Sequence, residues 1–308
     1  MKLKLQGYID LPAHMKSGGF DHAAIHRASG QLYVAHTSND SLDVIDCAND
    51  RYLHSIPDLI GVAGALVSDE RGLVFTSNRG EDTVSIFSPD KEANAVTVKV
   101  GIRPNGLSFD PKRGLLLAAN VGNPDVPGSF TLSIVDIAQQ KMIVSIPVPG
   151  RTRWTIYDPQ TEVFYVNIAN PPQIVVIDAN DPTAVANTFD IPAEGPHGLD
   201  LDIEGRRLFC ACDGAQLVTL DSSNGKIQSQ MPISGIPDVI FYNKALGHLY
   251  VAIGDPGVID VIDTKSMEPV EIMRTEMGAH TIAFDAQRNK IHVFLPETHR
   301  AAIYQDQG

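Results

Sequence analysis

The chain has 308 residues and an apolar fraction of 43%, enough for one large domain or two ordinary ones. Its 24 Lys and Arg residues against 37 Asp and Glu give a formal net charge of −13, which argues against nucleic acid as a partner because phosphate binding needs a basic face. Three cysteines do not make a disulfide framework, and no apolar run suits a secretory signal or a membrane span. We therefore expect a cytoplasmic protein with no membrane partner, although a removed leader would leave no trace here, and the oligomeric state stays open.

A unit of about 40 residues recurs along the chain, and such a period decides the fold before any other pattern. Its clearest copy is 195–235, with the β signals HGLDLD, RRLFCAC, QLVTLD and KIQSQMPI. Gly, Asp, Ser and Asn residues punctuate these segments, which predicts a four-stranded antiparallel meander. The copies are 21–60, 61–101, 102–150, 151–194, 195–235, 236–278 and 279–308.

The last copy has only three strand signals, and the missing one lies at the other end of the chain. Residues 1–12 contain LKLQGYIDLP, which has the pattern of KIQSQMPISG in the fifth copy. An N-terminal strand that completes the last sheet would close a ring and remove its open edges. The sequence thus predicts an all-β fold, a single seven-bladed β-propeller over 1–308. A sandwich or two β domains is the alternative.

Several segments also resemble the YVTN-type propeller repeats of bacterial and archaeal proteins. They are LYVAHTSNDSLDVID, LVFTSNRGEDTVSIF, LLLAANVG…LSIVD and LYVAIGDPGVIDVID, preceded by inner-strand segments such as RPNGLSFDP. The resemblance covers almost the whole chain and implies the seven-bladed ring. Similar rings include lactonases, a lyase, dehydrogenase subunits and plain binding scaffolds, so function must come from the site.

The first strand of each blade should line the central channel. We aligned the copies on the turn that ends this strand, and the residue five positions earlier is His22, Gly64, Asn105, Arg153, His197, Asp238 and His280. Three imidazoles brought together in this way suit one divalent metal, so we predict His22, His197 and His280 as its ligands. Asp238 would be a further ligand, a partner of an imidazole or a catalytic base. Arg153 and Asn105 would bind substrate.

A second tier of residues ends the second strands: His36, Asn78, Asn120, Asn167, Cys212, Ile253 and Leu295. The asparagines are typical of structural loop caps. His36 departs from that pattern and is predicted as a catalytic acid or base. Arg79 and Arg103 are candidate anion contacts, and His14, Glu297 and His299 are candidate lid residues.

The sequence lacks a nucleophile elbow, a P-loop and a dinucleotide fingerprint. We therefore expect a metal-dependent enzyme that acts on a small, anionic substrate by Lewis-acid chemistry, either lactone-type hydrolysis or elimination. Zn, Fe, Mn, Ni and Cu all suit the ligands. An oxidative enzyme with iron or copper and a non-catalytic binding module are the alternatives.

Overall fold

The computed structural model describes residues 2–308, which fold into 28 strands in seven four-stranded sheets. Short 3-10 turns at Thr37–Asn39 and Glu92–Asn94 are the helical elements of this part of the chain. The predicted all-β, seven-bladed propeller is confirmed. None of the helical segments in residues 2–308 has the length and apolarity of a membrane span.

The strands follow the predicted repeat, and each blade runs from the axis outwards. The N-terminal strand is β1 (Leu3–Asp10). Blade one contains β2 (Ala23–His26), β3 (Gln31–His36), β4 (Ser41–Asp46) and β5 (Arg51–Ile56). Blade two contains β6 (Val62–Ser68), β7 (Leu73–Asn78), β8 (Thr83–Phe87) and β9 (Val96–Lys99). Blade three contains β10 (Pro104–Asp110), β11 (Leu115–Asn120), β12 (Thr131–Asp136) and β13 (Lys141–Pro147).

The second half of the ring repeats this order. Blade four contains β14 (Thr152–Asp158), β15 (Val163–Ile168), β16 (Gln173–Asp178) and β17 (Asn187–Asp190). Blade five contains β18 (Pro196–Asp202), β19 (Arg207–Cys212), β20 (Gln216–Asp221) and β21 (Ile227–Pro232). Blade six contains β22 (Ile236–Asn243), β23 (His248–Asp255), β24 (Val258–Asp263) and β25 (Glu268–Arg274). Blade seven contains β26 (Ile282–Asp285), β27 (Lys290–Leu295) and β28 (Arg300–Asp306).

The core lies between neighbouring blades. The middle strands have both faces covered, so β3 is apolar and fully buried over Leu32–Ala35, whereas the outer strand β13 alternates between exposed and part-buried residues. Side chains of adjacent blades interdigitate, as Phe75 and Phe109 do with ring centres 4.8 Å apart. Each blade therefore depends on its neighbours for its buried surface, which is why the ring must close.

The N-terminal strand closes the ring as predicted. β1 pairs antiparallel with β28, from Leu3 opposite Asp306 to Asp10 opposite Arg300. Asp306 also accepts hydrogen bonds from His248 Nδ1 (2.7 Å) and the Tyr250 hydroxyl (2.6 Å), which joins blade seven to blade six. The last blade is thus held by strand pairing on its outer side and by a buried polar contact on its neighbour.

Candidate active site at the propeller axis

The innermost strands each bring one residue to the mouth of the axial channel, and the strand pairing identifies it. The last residues of these strands pair with the first residues of the second strands, as Asp202 does with Arg207. Five residues before that pair lie Asp21, Ala63, Asn105, Arg153, His197, Asp238 and His280. We call these seven residues the axial ring.

The sequence alignment was right for blades three to seven and wrong by one residue in blades one and two. There the inner strands end at His26, which pairs with Gln31, and at Ser68, which pairs with Leu73. Neither blade has an aspartate at this point to mark the turn. His22 therefore follows the ring position, and its N–H donates to Ala63 O (3.0 Å), as Val239 N–H donates to His280 O (3.4 Å) between blades six and seven.

Glycine after the ring residue brings the inner strands close together. A Cβ added to Gly198 would lie 2.3 Å from Asp238 O, and one added to Gly106 would lie 2.6 Å from Arg153 O. No side chain fits these gaps, so glycine allows the neighbouring backbones to approach. The mouth is narrow as a result, and ring residues of adjacent blades face each other at contact distance.

Asp238 lies between two of the predicted histidines. His197 Nε2 is 3.3 Å from Asp238 Oδ1, and His280 Nε2 is 3.7 Å from Asp238 Oδ2. The structure thus brings together His197, Asp238 and His280 from three consecutive blades. Asn167 holds the backbone of the first of them, because its Nδ2 donates to His197 O (2.9 Å).

Asp213 joins Arg153 to His197 across two blades. His197 Nδ1 donates to Asp213 Oδ1 (2.7 Å), and Arg153 Nη2 donates to Asp213 Oδ2 (3.0 Å). Arg153 Nη1 also lies 3.1 Å from His197 Nε2. When His197 Nε2 carries a proton that it shares with Asp238, it cannot accept a hydrogen bond from Arg153. The imidazolium of His197 and the guanidinium of Arg153 then lie side by side as two cations.

His197, which lies beside Asp238, and His22, which lies beside Trp154, have pKa values shifted in opposite directions. Burial opposes protonation of His197, but Asp238 and Asp213 outweigh it and raise its pKa to about 9. Burial lowers the pKa of His22, against the opposing charges of Asp21 and Asp238. Asp238 is buried as well, yet His197, His280 and His22 hold its pKa well below its usual range. At neutral pH, His197 is therefore an imidazolium and His22 a neutral imidazole.

His22 and Trp154 close the channel beneath the ring. Their ring centres are 4.2 Å apart, although they belong to blades one and four on nearly opposite sides of the axis. His22 Nε2 lies 3.4 Å from Asp21 Oδ1, and Arg79 Nη2 donates to Asp21 Oδ2 (3.1 Å). Below this pair lies a cavity of about 620 Å³ with apolar walls, including Leu107 and Phe284. The histidines and arginines of the ring thus lie above this contact and the cavity lies below it.

Four guanidinium groups surround the mouth. Burial, together with the charges of Arg153, Arg79 and Arg103, lowers the pKa of Arg151. Among residues 2–308, Arg103 and Arg151 take part in no ion pair. Arg79, by contrast, pairs with Asp21, and Arg153 pairs with Asp213. A protein of net charge −13 therefore brings four guanidinium groups together on this face.

Three other residues singled out from the sequence are His36, Asn105 and Cys212. His36 donates from Nδ1 to Asp43 Oδ2 (2.7 Å) within blade one, so the structure does not bring it to the axial histidines. It takes the place that Asn78 has in blade two, where Nδ2 donates to Ser85 Oγ (2.9 Å). Asn105 lies in the ring, and its Oδ1 has no hydrogen-bond partner within residues 2–308. The Cys212 thiol is buried against Cys210 (3.8 Å) and not against His197.

Sequence reasoning missed Asp213 and Asp21. Asp213 comes directly after Cys212, and Arg79 comes directly after Asn78. The residue after the second strand begins the loop at the mouth of the channel, where Asp213 contacts His197 and Arg79 contacts Asp21. Counting one residue further in this tier would have found Asp213, beside Arg79, which was already a candidate, and the correct count in blade one would have found Asp21.

Comparisons with known proteins support the fold and leave the family open. No family model and no curated protein matches the chain. A solved structure of hydrazine synthase from Kuenenia stuttgartiensis is similar, with a TM-score of 0.82, 12% sequence identity, and coverage of 96% of this chain and 98% of that chain. This likeness shows a shared propeller and nothing about activity, because 1822 chains of solved structures match as well. The YVTN family thus remains a resemblance.

Proposed function

We propose that the axial ring is the active site of an enzyme that acts on a small anionic substrate. The observation that carries this proposal is the convergence of Arg153, His197, Asp213, Asp238 and His280 at a cationic mouth. Arg103 and Arg151 lie at this mouth without an ion-pair partner among the described residues, which leaves their charge available to a ligand. A carboxylate or phosphate would bridge these cations and relieve their repulsion.

The opposite protonation states supply acid–base chemistry. His197 is placed to donate a proton to a leaving group or to a developing oxyanion, and neutral His22 is placed to accept one. Asp213 and Asp238 fix the ring of His197, so they are positioning residues. Arg153 would stabilise negative charge as it develops. This set suits elimination next to a carboxylate or opening of a small lactone, the two reactions expected from the sequence.

A metal at this site is a second candidate, and one contact favours it. His197 Nδ1 donates to Asp213, which is how metal-bound imidazoles are commonly held, and this directs Nε2 towards Asp238 and His280. Within residues 2–308, however, no group of three or more His, Cys, Asp or Glu side chains is arranged to hold an ion as it stands. His22, His197 and His280 would be the ligands, and Arg153 would have to leave Nε2. A bound divalent ion would polarise a substrate carbonyl or acidify water.

The test uses Trp154, the only tryptophan in the sequence, which adjoins Arg153 and contacts His22. Its fluorescence is titrated with malonate, phosphate and a neutral amide of similar size. We expect saturable changes with the anions alone. A panel of hydroxy acids and lactones is then assayed with and without EDTA, using wild type and His197→Gln.

Turnover that His197→Gln abolishes supports the enzyme, and sensitivity to EDTA supports the metal candidate. Anion binding with no turnover on any substrate favours a binding module instead. No response to any anion would contradict the proposal. The three free, buried cysteines support a reducing cytoplasmic location, which remains part of the proposal.

A further inference from the structure

A second group of three histidines lies where the ring closes, away from the axis. His14 comes from the segment between β1 and β2, His36 ends β3 in blade one, and His299 lies in the turn between β27 and β28 in blade seven. The ring centres of His14 and His36 are 5.0 Å apart, and those of His14 and His299 are 4.4 Å apart. We call this group the seam cluster.

Each histidine of the seam cluster has a buried ring nitrogen with no hydrogen-bond partner among residues 2–308. These atoms are His14 Nε2, His36 Nε2 and His299 Nδ1, and the whole His36 side chain is buried. Burial, followed by the charges of His36 and His299, lowers the pKa of His14 to about 4. Three unsatisfied nitrogens in one place need an explanation, because a buried polar atom without a partner destabilises the fold.

The surroundings hold the His36 ring and the backbone around His14 and His299 in place. His36 Nδ1 is fixed by Asp43, which also accepts from Ser55 Oγ (2.6 Å), so Nε2 is the free atom. Asn39 bonds to both neighbours of His14, accepting from Met15 N (2.9 Å) and donating to Ala13 O (3.0 Å). Leu11 N donates to His299 O (2.9 Å). The backbone that carries the cluster is therefore ordered before any ligand binds.

We propose that the seam cluster binds one divalent transition-metal ion through His14 Nε2, His36 Nε2 and His299 Nδ1. Two imidazoles on one tetrahedral zinc ion place their ring centres about 5 Å apart, close to the spacings found here. Neutral imidazoles suit Zn²⁺, Ni²⁺ and Cu²⁺, and the bond from His36 to Asp43 provides the usual support behind a ligand.

The three nitrogens do not yet converge on one point, in keeping with the lack of a formed metal group in residues 2–308. His14 and His299 are on loops and only part-buried, so rotation of their rings completes the site. The ion would join blade seven to blade one and thereby clamp the ring. Its role is structural, and it is independent of the proposed axial enzyme.

The experiment measures zinc in the full-length, untagged protein. EDTA-treated protein is dialysed against a small excess of Zn²⁺, and bound zinc is determined by elemental analysis. Co²⁺ replaces Zn²⁺ in a parallel sample, because its visible spectrum reports tetrahedral coordination. The variants are His14→Gln and His299→Gln at the seam, His197→Gln with His280→Gln at the axis, and His54→Gln as a surface control, since His54 bonds only to Glu92 across an exposed contact (2.7 Å).

We expect about one zinc ion per chain in wild type, in the axial variant and in the His54 control, with at least tenfold weaker binding in each seam variant. Zinc should raise the melting temperature of wild type by about 5 °C and leave His299→Gln unchanged. If one seam variant fails to fold, zinc binding by the other variant and the change in melting temperature of wild type still test the inference. No zinc uptake by wild type, or loss of zinc only in the axial variant, overturns the inference.

Discussion

The axial ring with His22 beneath it and the seam cluster each bring three histidines together, yet the two groups are built for different chemistry. At the axis, His197 is beside two carboxylates and is held as a cation, and His280 approaches one of the same carboxylates. At the seam, only His36 has a carboxylate partner, and His14 is held neutral by burial. The carboxylates around an imidazole thus decide whether it serves as an acid, an anion contact or a metal ligand.

Removal of the carboxylate at the seam should have the largest effect. Asp43→Ala leaves His36 Nδ1 and Ser55 Oγ without their buried partner, and we expect it to lower the free energy of unfolding by about 3 kcal/mol. Urea denaturation followed by circular dichroism measures this loss. The double variant His36→Asn, Asp43→Ser copies the Asn78 and Ser85 pair of blade two and should regain most of the stability. If Asp43→Ala were as stable as wild type, the distinction between the axial ring and the seam cluster would be contradicted.

Removal of the cation at the axis should come next. Arg153→Ala deletes a guanidinium that a bound anion would contact, and we expect phosphate or malonate to bind about 10–100-fold more weakly in the Trp154 fluorescence titration. Arg71→Ala is the matched control, because Arg71 donates to Pro111 O (2.7 Å) at the opposite end of the inner strands. Equal affinities in the two variants would mean that the axial arginines serve only the fold.

The charge on Asp213 can be removed while its shape is kept. Asp213→Asn still accepts from His197 Nδ1 but no longer favours the imidazolium, so the pKa of His197 should fall from about 9 by roughly one unit. Proton NMR of the imidazole resonances measures both titrations. In wild type the raised pKa stabilises the fold fully below about pH 6.5, and this contribution disappears as the pH rises through about 9. A wild-type midpoint near 6.5 would contradict the assignment.

The smallest expected effect is optical. His22 contacts the face of Trp154, and its pKa is lowered by burial, so its protonation below pH 6.5 should reduce the tryptophan fluorescence. His22→Gln should abolish that transition, whereas His292→Gln, at a buried histidine in blade seven, should keep it. A transition that persists in His22→Gln would assign the change to another group.

The fold could be predicted almost completely from the sequence. Alternation of apolar residues, turn residues and a fixed period are local signals, and they repeat seven times, so errors in one copy are corrected by the others. The closure by residues 1–12 followed from a missing strand at the opposite end. Pairing of Leu3 with Asp306 confirms that prediction.

The site was harder because side-chain direction depends on single residues. A shift of one position turns a side chain to the other face of a strand, and blades one and two lack the aspartate that would have fixed the count. Asp213 was overlooked for the same reason. The seam cluster combines His14, His36 and His299 from segments far apart in the sequence, and nothing in their spacing indicates that they meet.

The contact between His22 and Trp154 also determines how molecules can move through the protein. Since these two residues meet from nearly opposite blades, their contact constricts the axial passage between an upper vestibule at the ring and a lower vestibule, which is the cavity beneath them. Under the proposed function, substrate would enter and product would leave past the arginines on the upper side, so product release would compete with the next binding event. The lower vestibule has an apolar wall and its own rim, which includes Arg27 and Glu70. The two vestibules thus offer walls of different polarity on the two sides of one aromatic contact.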